Sequence, residues 1–221
     1  MIRRRSGGAD LTAVIVAGLG LALTGCSSTS KSPATTTAEA DKHPEQVLAD
    51  ARAALRRASS VHVHGQVHQM GQASTVDLTI APGKGASGTV TLGPTTLTLV
   101  KVGTATYVKG QAVPGVPAGK SGFTRLPDNQ AVGLDAVLDL RALGDAALQP
   151  SGRLTRDVSR STTAGVPSLL LTDAVDGSEL FVVDGPDPRP LVAVTKGANS
   201  GTLTFDEYDK DVTFLTPAGA G

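Results

Sequence analysis

The 221-residue chain carries 20 basic and 20 acidic residues, is 40% hydrophobic but only 3% aromatic, and has a single cysteine and no tryptophan. Zero formal net charge with no basic stripe excludes nucleic acid and other polyanions as partners. A lone cysteine excludes an internal disulfide framework, so the folded part must stand on its hydrophobic core.

The chain opens as a processing segment. Met1 to Arg5 is basic, and Leu11 to Leu23 is an apolar run too short and too glycine-rich for a comfortable membrane span. It ends in Leu23-Thr24-Gly25-Cys26, which reads as a bacterial lipobox: diacylglyceryl transfer needs a thiol, and the signal peptidase needs small side chains just before it. Residues 1–25 are therefore expected to be a lipoprotein signal peptide and Cys26 the lipidated residue that anchors the chain to the outer face of the cytoplasmic membrane. Two or more acyl chains there make a stable anchor, where one alone binds only marginally. Taking Arg3, Arg4, Arg5 and Asp10 from the 20 basic and 20 acidic residues leaves 17 and 19, still near neutral. Ser27 to Lys42 is rich in Ser, Thr and Ala without hydrophobic periodicity, a tether that spans about 20 Å as a flexible coil. His43 to Pro217 is long enough for one domain with a real core, leaving residues 218–221 as a tail.

The domain begins with a helix. Pro44 suits a first helical position, and Val47, Leu48, Ala51, Ala54, Leu55 and Ala58 recur at three- and four-residue steps. Period-two segments follow near Val61 to Gln69, Ser74 to Ala81, Ala86 to Leu92, Thr96 to Val102 and Thr104 to Lys109, joined closely enough to predict an antiparallel meander. Gly110 to Phe123 reads as a loop from its Pro and Gly content. Past Pro127, the stripe Ala131, Leu134, Val137, Leu138, Leu143 predicts a second helix ending near Gly144. A second meander is expected at Arg153 to Arg160, Ser168 to Thr172, Leu180 to Val183, Leu191 to Thr195 and Thr202 to Tyr208, with a short last strand at Val212 to Leu215.

This order predicts an α+β fold: a curved antiparallel sheet of about ten to eleven strands forming a half-open barrel, with two main helices on its concave side. Its strands are built from Val, Leu, Thr, Ala and Gly. Such small residues fill space poorly between a curved sheet and its helices, so either the layers close up or an apolar cavity remains.

The stretch Val61 to Met70, "VHVHGQVHQM", places His62, His64 and His68 on one face of a strand and Val61, Val63 and Val67 on the other. A His-x-His pair can ligate one zinc, with Asp77 the nearest candidate for a third ligand in a hairpin register. The alternation favours the other reading, a solvated outer face over an apolar inner one, and no metal is expected. Asp206, Glu207 and Asp209 read as charges on a solvated strand edge. No Gly-x-Ser-x-Gly, P-loop or dinucleotide fingerprint occurs, so no catalytic residue and no cofactor are assigned.

Taken in order, several segments resemble a known family: the lipobox, the tether, the helix ending Arg56-Arg57-Ala58-Ser59-Ser60 and the strand start Val61-His62-Val63. "GTVTLG" at Gly88 to Gly93, "ATYVKG" at Ala105 to Gly110 and "GVPSLLLTD" at Gly165 to Asp173 continue the match. "FVVDGPDPRPLVAV" at Phe181 to Val194 and "GTLTFDEYDKDV" at Gly201 to Val212 complete it. The chain resembles the actinobacterial LppX/LprG-type lipoproteins, which are similar in fold to the LolA lipoprotein carrier. The resemblance implies binding of an acylated lipid or glycolipid between sheet and helices and a role in moving it through the cell envelope. The short segment after Gly110, with only Phe123 for bulk, implies a smaller pocket or none.

On this reading Val76, Leu78, Ile80, Leu97, Leu99 and Tyr107 of the sheet, with Leu134, Val137 and Leu138 of the second helix, enclose acyl chains. Opening would fall to the Gly110 to Phe123 loop or the second helix. The competing reading is an envelope scaffold or sensor with a closed core and a protein partner.

Overall fold

Eleven strands and three α-helices are found in the computed structural model, which describes residues 38–69, 72–110 and 122–220. The signal segment, Cys26, most of the tether and residues 111–121 of the expected loop lie outside the described residues. After a short 3₁₀ turn at Glu39–Asp41 comes α1, Pro44–Arg57, with proline in its first turn and Arg56 and Arg57 in its last, where they suit the helix dipole. The first meander is β1 (Val61–Gln69), β2 (Gln72–Ala81), β3 (Gly85–Leu92), β4 (Thr95–Val102), β5 (Ala105–Gly110) and β6 (Thr124–Arg125). Two helices, α2 (Asp128–Leu138) and α3 (Leu140–Ala147), lead to the second meander. Its strands are β7 (Ser159–Thr163), β8 (Val166–Thr172), β9 (Glu179–Val183), β10 (Pro190–Thr195) and β11 (Gly201–Asp206).

All strands belong to one antiparallel sheet in the order β6-β5-β4-β3-β2-β1-β11-β10-β9-β8-β7. The two meanders meet where the first strand of one pairs with the last strand of the other, His62 opposite Asp206 and Val63 opposite Phe205. β6 and β7 thus lie at opposite edges, and the segment between them must cross the sheet. That segment is α2 and α3, which with α1 cover the inner face.

Register makes the inner face apolar. Val63 pairs with Leu78, Leu78 with Gly88, Gly88 with Leu99 and Leu99 with Val108. Across the seam, Phe205, Leu169, Leu171 and Val182 are almost wholly buried, and they join Val47, Leu48, Ala51 and Leu55 of α1 in one core. Glycines on this face allow the sheet to curl. A Cβ on Gly88 (φ +148°) would lie 2.0 Å from the Asp77 carbonyl oxygen, and one on Gly65 (φ +153°) equally close to that of Thr202. Neighbouring strands approach there as no other residue would permit, which is how a flat sheet becomes a half-barrel.

Four expectations are corrected. The second helix is two helices, because Asp139 leaves helical geometry (φ −108°, ψ 116°) and its carboxylate accepts the Ala142 N–H at 2.8 Å, starting α3 afresh. Arg153 to Arg160 is not a strand until Ser159; before it only Leu154 bridges to Asp173. Val212 to Leu215 forms no strand. Finally, Asp206, Glu207 and Asp209 do not decorate an edge: β11 is central, and the chain leaves it with Glu207 and Asp209 at φ of 47° and 58°.

Asp209 instead latches the turn between α1 and β1. Its carboxylate accepts the Ser59 N–H at 2.7 Å and the Ser59 hydroxyl at 3.0 Å, and its other oxygen meets Arg189 at 2.6 Å. Arg189 lies 5.0 Å over the Tyr208 ring, whose hydroxyl donates to the Pro190 carbonyl at 2.7 Å. The Ser59 backbone and hydroxyl bonds, with Arg189, hold the Asp209 carboxyl below its ordinary range.

Gly88→Val should lower stability by about 3 kcal/mol, from backbone strain and the clash with β2, read as a lower urea midpoint. A depressed folded-state pKa gives stability that is present above the ordinary carboxylate value and lost as pH falls through the folded one. Asp209→Ala should therefore be less stable than the parent at neutral pH, and the difference should shrink as acid protonates the parent's carboxylate in chemical unfolding series.

Candidate functional site

Most of the concave face is filled, but at one end α2 and α3 stand away from the sheet. A cavity of about 260 Å³ lies there, walled by Val137 and Leu143 of the helices and by Val67, Val76 and Leu203 of the sheet. Its polar lining is His68, Thr195 and the exposed Asn199, so it reaches solvent at the β10–β11 turn. Ala147 and Ala193 separate it from a void of about 40 Å³ against Leu48, Leu171 and Leu180. The cavity exists because the facing positions are small: Ala146, Ala147, Ala193 and Gly201 leave unfilled what larger side chains would occupy.

Of the nine residues expected to line a pocket, Val76 and Val137 line this cavity. Leu78, Ile80, Leu97, Leu99 and Leu138 are buried in the continuous core instead, and Leu134 packs against it half-buried. Tyr107 has the opposite parity from buried Thr106 and Val108 and lies on the outer face, beside Arg125 of β6. Sequence reading missed Leu203, Ala193 and the β10–β11 turn, because they reach the cavity only once β11 pairs with β1.

The lid is held chiefly by packing. Gly144 of α3 lets Leu55 of α1 approach so closely that a Cβ there would lie 2.5 Å from Leu55 Cδ2. Arg56 also bonds Asp145 at 2.6 Å, holding that carboxyl below its ordinary range, but both side chains are nearly half exposed. Arg52 donates to the Leu148 carbonyl at 2.7 Å, and Lys101, on the inner face of β4, meets Asp135 of α2 at 2.7 Å.

On the outer face the histidines are less passive than expected. His62 is half-buried, with Nδ1 2.8 Å from Asp206 and Nε2 3.1 Å from Asp77. Burial pulls its pKa down, but the hydrogen bonds and charges of Asp77 and Asp206 outweigh burial and raise it above the ordinary imidazole value. His64 stacks on it with centroids 5.0 Å apart. His68 does not join them.

A curved antiparallel sheet with helices across its concave side, and space left between the layers, defines an α+β half-open barrel. The structure is similar to the crystal structure of LprF from Mycobacterium bovis, with a TM-score of 0.59 at 18% identity over 80% of this chain and 97% of that one. It also matches the lipoprotein LppX of Mycobacterium tuberculosis, with a TM-score of 0.48 at 14% identity over 76% and 98%. The likeness to LprF bears out the LppX/LprG-type resemblance at the level of fold. No protein-family profile and no curated protein matches the chain. Among the described residues, no helix is long and apolar enough to cross a membrane.

Gly144→Leu should cost about 1–3 kcal/mol by overpacking the α1–α3 contact. Arg56→Ala should leave the urea midpoint nearly unchanged, since an exposed ion pair contributes little. Equal losses from the two would show that charge, not packing, holds α3.

Proposed function

We propose that the protein is a membrane-anchored, exported lipoprotein, tethered through lipidated Cys26, that binds one acyl chain of an amphiphile between its sheet and α2–α3. The observation that carries this is the 260 Å³ cavity, with apolar walls at Val76, Val137, Leu143 and Leu203 and polar groups where it meets solvent. An amphiphile has the same polarity: its tail lies among the aliphatic side chains and its head at His68, Thr195 and Asn199. Each enclosed methylene contributes about 0.8 kcal/mol, so affinity grows with the length enclosed. Ligand pockets commonly run to about 300–1,000 Å³, and this volume at the lower edge favours a single chain over a multi-chain glycolipid.

The role is shelter rather than catalysis. Among the described residues of the cavity lining no nucleophile and general base are paired, and the space between sheet and helices is lined chiefly by aliphatic side chains. Leu134 and Leu138, on the same helix as Val137, back the wall. Leu78, Ile80, Leu97 and Leu99 belong to the packed core that continues from the cavity. Anchoring at Cys26 with a tether of about 20 Å would keep the cavity within reach of the bilayer from which cargo is drawn.

Native mass spectrometry of the protein after incubation with membrane lipid should detect an adduct of one single-chain amphiphile. Ala193→Phe, which fills the junction of the two voids, should remove at least nine-tenths of that adduct without loss of folded structure. A clean unliganded mass with native circular dichroism would overturn the carrier reading and favour a scaffold with a protein partner. For the anchor, Cys26→Ser should move the protein from the membrane fraction to the soluble fraction; unchanged partition would rule out lipidation there.

A further inference from the structure

The outer face of the β1–β11 seam carries a second constellation, on the opposite side of the sheet from the cavity. His62 and His64 project from β1 with their polar parity, and register sets Asp206 of β11 opposite His62 and Asp77 of β2 opposite His64. His62, His64 and Asp206 can each offer one donor atom, and these atoms all lie within 4.8 Å of one another. The Asp206 carboxylate is already shared between the rings, one oxygen 2.8 Å from His62 Nδ1 and the other 3.4 Å from His64 Nε2.

We propose that His62, His64 and Asp206 form a Zn²⁺ site that joins the two meanders at their seam. Tetrahedral zinc with bonds of about 2.1 Å needs donor atoms about 3.4 Å apart, so the present spacings require only side-chain adjustment. Asp77 fits the supporting role. It lies 3.1 Å from His62 Nε2, so it can accept that N–H and fix the ring with Nδ1 turned toward the metal, the arrangement that orients metal-bound histidines generally. Charge points the same way: among the described residues neither Asp77 nor Asp206 pairs with a Lys or Arg, and both carboxylates face the histidine rings instead. A divalent cation held between the rings would balance the charge of the two carboxylates. His64 and Asp206 are 40% and 47% exposed, which leaves a path for the ion and room for water as fourth ligand. Two imidazoles with one carboxylate select a borderline cation such as Zn²⁺ over Mg²⁺ and Ca²⁺, which prefer all-oxygen sites.

The test is calorimetric titration of Zn²⁺ into untagged, chelator-treated protein, with thermal melts alongside. One equivalent should bind, and Tm should rise with Zn²⁺ because the ion bridges β1 and β11 only in the folded state. Ca²⁺ in excess should not compete. His64→Gln and Asp206→Asn should each weaken binding at least tenfold. Asp77→Asn should weaken it about tenfold through lost ring orientation, and His68→Gln, outside the cluster, should leave it unchanged. His64 is exposed enough that its substitution preserves the fold, which circular dichroism verifies. Absence of stoichiometric binding, wild-type affinity in His64→Gln, or an equal loss in His68→Gln would each overturn the site.

Discussion

The pairing of β1 with β11 is the constraint on which the rest depends. Each meander alone is a short sheet with one apolar face and an unpaired strand at its edge. Joined at Val63 and Phe205, they become one sheet whose concave face is continuous and whose two edges are β6 and β7. The segment between those edges must then cross the concave side, and it does so as α2 and α3, of which α3 is clearly amphipathic. Core, lid and cavity all follow from that one long-range ladder.

Packing across the ladder is uneven, and the unevenness leaves the cavity. Near the middle, Leu78, Leu99, Phe205 and the leucines of α1 interlock at core density. At the end where β10 turns into β11, alanines and glycine face the helices and a space remains. Small residues therefore have two roles in the same sheet: Gly65 and Gly88 permit curvature through close backbone approach, while Ala147 and Ala193 leave volume. A chain with bulkier residues at the second pair would keep the fold and lose the cavity.

The seam also explains why acidic groups near the chain's end have partners far away. Asp209 holds the α1–β1 turn, and Asp206 meets His62, so the last strand is tied to the first by backbone, by a charged latch and by the histidine cluster. Arg189 and Tyr208 extend this from β10 to the same turn. Polar groups thus mark the place where two local structures must find each other, and their hydrogen bonds are specific where apolar contacts are not.

Much was legible in the sequence because it is local. Period-two alternation set the strands of the first meander and the outward parity of His62 and His64, the Pro44 stripe set α1, and turn residues set the hairpins. The break at Asp139 was also written locally, as a capping residue inside a helical stripe, but periodicity masked it. The choice of partner across the seam was not legible, since pairing between strands more than a hundred residues apart leaves no pattern in either one. Hence Asp206 read as an edge charge, Tyr107 as a pocket wall, and Leu203 and Ala193 as ordinary strand residues. Sequence determined α1 and the strands of the first meander, because side-chain period and backbone preference act over a few residues; only the tertiary structure decided which faces meet, where the layers fail to close, and which carboxylate stands beside His62, because those are properties of closure at the β1–β11 seam.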